Sequence, residues 1–101
     1  MKPETLLQQL QQTPDFLKLT LAHPDFLPFV RYSLQNGTEI QIWDTGVLYC
    51  QPKQCGQQDI VLSSGVHGNE TAPIELCSTL LNDVLAGKLL LTERVLFLFG
   101  N

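Results

Sequence analysis

The chain has 101 residues, a net charge of −4 and 44% hydrophobic residues. This suits one small domain with a packed core and excludes a disordered chain. With no cluster of Lys and Arg, nucleic-acid binding and a basic membrane-surface helix are disfavoured, and no apolar run approaches the roughly 20 residues of a membrane span. Met1 to Val30 shows no basic start followed by an apolar core, so no signal peptide is expected and a cytoplasmic location is the expectation.

Residues 1–25 read as a helical cover. Leu6, Leu7 and Leu10 make a narrow helical stripe, with Pro3 in the first turn. Thr13-Pro14 reads as a cap followed by the first position of a second helix, which carries Phe16, Leu17, Leu19 and Leu21 up to a stop at His23-Pro24. His23, placed before a proline, reads as a surface or packing residue.

Residues 29–51 read as three short antiparallel strands. Val30, Tyr32 and Leu34 alternate with polar residues, and so do Ile40 and Ile42. Asn36-Gly37 between them predicts a two-residue hairpin turn with positive φ at both positions. Asp44-Thr45-Gly46 supplies a second turn, Val47 to Cys50 a third strand, and Pro52 its end. Cys50, Cys55 and Cys77 are an odd count at spacings that match neither a zinc ribbon nor a redox pair, so they read as reduced thiols.

Residues 58–101 read as a βαβ unit. Asp59–Ser63 is a short apolar strand, expected to be buried. Ala72–Ala86 has helical periodicity, with Ile74, Cys77, Leu80, Leu81, Val84 and Leu85 on one face, Pro73 in the first turn and Gly87 at the helix-ending position. Arg94–Phe99 is a second apolar strand, and this arrangement calls for parallel strands. The fold class is therefore α/β: a helical amino-terminal cover, an antiparallel meander and one βαβ unit.

The connection from the first of these strands to the helix carries the chemistry. Ser63-Ser64-Gly65-Val66-His67-Gly68-Asn69-Glu70-Thr71-Ala72-Pro73 sets a histidine and a glutamate three residues apart, with Gly65 and Gly68 on either side of the histidine. Imidazole nitrogen and carboxylate oxygen are ligand types of hydrolytic zinc sites, and the carboxyl ends of strands in open α/β sheets are where ligands bind. His67 and Glu70 are the candidate metal ligands. The plainer alternative makes His67 a loop histidine and Glu70 a first-turn acid favoured by the helix dipole. Asn69 reads as a turn or cap residue, and Glu75 is given no role.

The wording of this run resembles the zinc-binding segment of the succinylglutamate desuccinylases, in the aspartoacylase branch of the zinc carboxypeptidase superfamily. Phe16-Leu17-Lys18-Leu19-Thr20-Leu21, Gly46-Val47-Leu48-Tyr49 and Gly100-Asn101 extend the likeness over most of residues 16–101. The resemblance implies the amino-terminal part of a mixed sheet of the zinc-carboxypeptidase kind, with one zinc ion held in part by His67 and Glu70. It also implies hydrolysis of N-succinyl-L-glutamate to succinate and L-glutamate in arginine breakdown. The family's third ligand, a histidine, its general-base glutamate and its substrate-gripping arginines come further downstream. No catalytic residue is therefore assigned within these residues, and Arg31 and Arg94 are not taken as substrate binders.

On this reading the chain continues beyond Asn101 in the native protein. The 101 residues alone are then expected to be inactive, and the strand at Arg94–Phe99, left uncovered, to promote self-association. Two other functions fit the residues: another N-acyl amino acid amidohydrolase of the aspartoacylase type, and a non-enzymatic α/β module in which His67 and Glu70 are structural.

Overall fold

The computed structural model describes residues 1–65 and 71–100. Its elements run α1 (Pro3–Gln12), α2 (Phe16–Ala22), β1 (Val30–Ser33), β2 (Glu39–Asp44), β3 (Val47–Gln51), β4 (Asp59–Ser64), α3 (Thr71–Leu85) and β5 (Arg94–Phe99). The strands form one sheet in the order β1-β2-β3-β5-β4. The β1–β2, β2–β3 and β3–β5 pairs are antiparallel, and β4–β5 is parallel. The α/β class, the meander and the parallel βαβ unit expected from the sequence are all present.

Alternation along the strands gives the sheet two unlike faces. On one, Val30, Ile40, Ile42, Leu48, Cys50, Val95, Phe97 and Phe99 are buried in the same apolar cluster as Leu6, Leu10 and Phe16 of the first two helices and Ile74, Leu81, Val84 and Leu85 of α3. The stripe read from the periodicity of α3 is thus the buried one, with Cys77 and Leu80 packed against it at its margin. On the other face, Gln41, Tyr49, Leu96 and Val61 stand in register across four strands, and the Trp43 ring stacks on Tyr49 at 5.4 Å.

The ends of α3 follow from its residues. Pro73 falls in the first turn, where an N–H has no helical acceptor to lose. At the other end Gly87 takes φ +78°, the Lys88 N–H donates to the Asp83 carbonyl and the Gly87 N–H to that of Val84. This is the paired Schellman closure that a glycine permits without steric cost.

Four expectations are corrected. The second helix is capped not by Thr13 with Pro14 but by Asp15, whose carboxylate accepts from the Lys18 N–H at 3.1 Å. Thr13 instead closes α1, its N–H donating to the Gln9 carbonyl. The Asn36-Gly37 turn is a three-residue loop. The Gly37 N–H donates to the Leu34 carbonyl, the Leu34 N–H to that of Thr38, and only Gly37 has positive φ. Asn36 keeps a negative φ because its side-chain oxygen accepts from the Thr38 N–H at 2.9 Å, an Asx turn that needs no left-handed residue.

The other two corrections concern the parallel pair. β4 was expected to be buried, yet it lies at the edge of the sheet, with Ile60 37% and Val61 56% exposed. β5 was expected to be uncovered, yet it runs between β3 and β4 with Val95, Phe97 and Phe99 buried. The cause is a single pairing: Val47–Cys50 of the meander takes up the free side of β5.

Candidate metal-binding turn at the carboxyl end of β4

β4 and β5 end together. Ser64 is the register partner of Phe99, and the Gly100 N–H donates to the Ser64 carbonyl at 3.1 Å. The β2–β3 turn closes on the same end, for the Phe99 N–H donates to the Gly46 carbonyl at 2.7 Å. Thr20 of α2 fastens that turn from the other side: its hydroxyl accepts from the Gly46 N–H at 3.1 Å, and its carbonyl accepts from the Thr45 hydroxyl at 3.4 Å. Strand, turn and helix thus meet at the carboxyl end of the parallel pair, where chain position puts the stretch between Gly65 and Thr71. Val66, His67, Gly68, Asn69 and Glu70 lie outside the described residues.

Beside this end, Leu17, Thr20, Leu21, Thr45 and Phe99 border an open cavity of about 400 Å³. Among the described residues no charged side chain lines it, so these offer nothing to grip a carboxylate. Ser64 has its side chain on the helix-covered face, is 5% exposed, and its hydroxyl has no hydrogen-bond partner among the described residues.

The other titratable groups lie elsewhere. Arg94 pairs with Asp59 at 2.6 Å at the amino end of the parallel pair, the opposite end from Ser64. Arg31 pairs with Glu39 at 2.9 Å on the far edge of the sheet. Both arginines are thus engaged away from the turn. His23 caps α2 at its carboxyl end, its N–H donating to the carbonyls of Leu19 and Thr20, and Glu75 is exposed on α3. Cys50 is buried in the core, and burial pushes its thiol up to about 12. Among the described residues no three His, Cys, Asp or Glu side chains cluster to hold a metal.

Two features of this region escape a reading of the sequence. Asp44-Thr45-Gly46 signals a turn, but nothing in it signals that the turn docks on Phe99. Ser64 sits in a run of small polar residues that gives no hint that its hydroxyl is buried.

The family model described as the succinylglutamate desuccinylase/aspartoacylase catalytic domain matches residues 56–101. The succinylglutamate desuccinylase of Shewanella piezotolerans is 50% identical over 98 residues, or 95% of this chain, and that of Shewanella amazonensis is 55% identical over the same length. The chain is thus similar to the succinylglutamate desuccinylase/aspartoacylase family. Solved structures of succinylglutamate desuccinylases agree. That from Chromobacterium violaceum superposes with a TM-score of 0.69 at 35% identity, over 84% of this chain and 26% of its own. That from Vibrio cholerae superposes with a TM-score of 0.73 at 29% identity, over 83% of this chain and 25% of its own. The fold of these enzymes is therefore shared over more than four-fifths of the chain. The chain spans 28% of the length of the two Shewanella relatives. Among the described residues no helix is long and apolar enough to cross a membrane.

Proposed function

We propose that this chain is the metal-binding segment of a zinc-dependent amidohydrolase that converts N-succinyl-L-glutamate to succinate and L-glutamate. The single observation that carries the reading is the identity of about half the residues, over 95% of the chain, to proteins named succinylglutamate desuccinylase. The local architecture supports it. A strand and a helix of the expected type flank the run from Val66 to Glu70, at the carboxyl end of a parallel pair.

The donor set suits zinc. His67 offers a neutral nitrogen and Glu70 a carboxylate oxygen, two of the ligand kinds that catalytic zinc takes with a third protein ligand and an open position. A zinc ion bound there would polarise the substrate carbonyl and bring the pKa of a bound water to about 7. The role of this chain's residues is to hold the metal through His67 and Glu70. Grip on the substrate's carboxylates falls to residues outside this chain, since Arg31 and Arg94 are paired elsewhere.

The test uses the whole protein at the length of its relatives. Zinc content and glutamate release from N-succinyl-L-glutamate are measured for the wild type and for His67→Ala. Loss of both in the variant is the expected result. One tightly held zinc per chain in His67→Ala would refute the ligand assignment. Turnover of N-acetyl-L-aspartate in place of the succinyl compound would move the substrate to the aspartoacylase side of the family.

A further inference from the structure

We draw no further inference here: the strongest candidate, the sheet face opposite the helices on which the Trp43 ring stacks on Tyr49 in line with Leu96 and Val61, is an unpartnered apolar face, and nothing in the structure shows what covers it.

Discussion

The Phe99 N–H donates to the Gly46 carbonyl, and the Phe99 carbonyl occupies the space that a β-carbon on Gly46 would need. Gly46 also has φ +75°, a left-handed conformation that favours glycine. One residue thus joins the β2–β3 turn to the end of β5 and admits the backbone approach that closes the sheet beside the candidate metal turn. Gly46→Ala is expected to destabilise the protein by about 1–3 kcal/mol, the range for backbone strain of this type, with the clash added to it. Chemical denaturation measures this directly. A midpoint equal to that of the wild type would show that the turn does not dock as described.

Leu81 is fully buried at the centre of the α3 face, among the side chains that line the sheet. Leu81→Ala should cost about 2–5 kcal/mol, the transfer free energy of the lost atoms plus the cavity they leave. Leu76, on the opposite side of the same helix, is 72% exposed. Leu76→Ala should change stability by less than about 0.5 kcal/mol. Equal losses in the two variants would mean that the helix presents a different face.

Much of this architecture was legible because local rules and the fold agree. The stripe of α3, the alternation at Ile40 and Ile42, and Gly87 as a helix stop each depend on a few neighbouring residues, and each holds. The errors lie where one side chain's hydrogen bond or a strand pairing, rather than the residue pattern, decides. Asp15 and not Thr13 caps the second helix because that helix starts at Phe16, where the Asp15 carboxylate accepts from the Lys18 N–H. Ile60-Val61-Leu62 is apolar enough for a buried strand, yet its place at the sheet edge is set by β3 pairing with β5 on the other side. Ser64 illustrates the limit near the candidate turn: a hydroxyl in the sequence gives no sign of its burial, which only the packed β4–β5 end shows.

Burial raises the Cys50 thiol from 9.0 to about 12, and burial together with the neighbouring Cys50 raises the Tyr32 hydroxyl in the same direction. In the unfolded chain the Cys50 thiol loses its proton near its ordinary value, while the folded chain retains it. The folded state therefore binds more protons between about pH 9 and pH 12, and stability falls as pH rises through that window. Below pH 9 the contribution is fully present. Unfolding midpoints at pH 7, 9 and 10.5 should show a decline that Cys50→Ala makes shallower, with the remainder left to Tyr32. A wild-type midpoint that stays constant up to pH 10.5 would show that Cys50 is not buried as the fold has it.

The last expectation concerns the 101 residues expressed alone. Among the described residues β4 has no strand on one side, and Ile60 and Val61 are exposed along it, while Asp59 at its start is the strand's only charged residue. An apolar edge strand with so little charge is a template for pairing with another chain. Self-association is therefore expected through β4, not through the interior β5. Val61→Lys places a charge in the middle of that edge and should shift the protein toward monomer in sedimentation velocity, whereas Leu96→Lys on β5 should not reproduce the effect through the edge. The same preparation, supplied with zinc, is expected to release no glutamate from N-succinyl-L-glutamate. His23, the only histidine besides His67, is held in the helix cap of α2, and no general base is assigned within these residues, a deficit worth about 10²–10⁴-fold in rate. Turnover that is abolished by a chelator and by Glu70→Ala would show that these residues complete a site of their own, and a monomeric wild type would show that the β4 edge is protected.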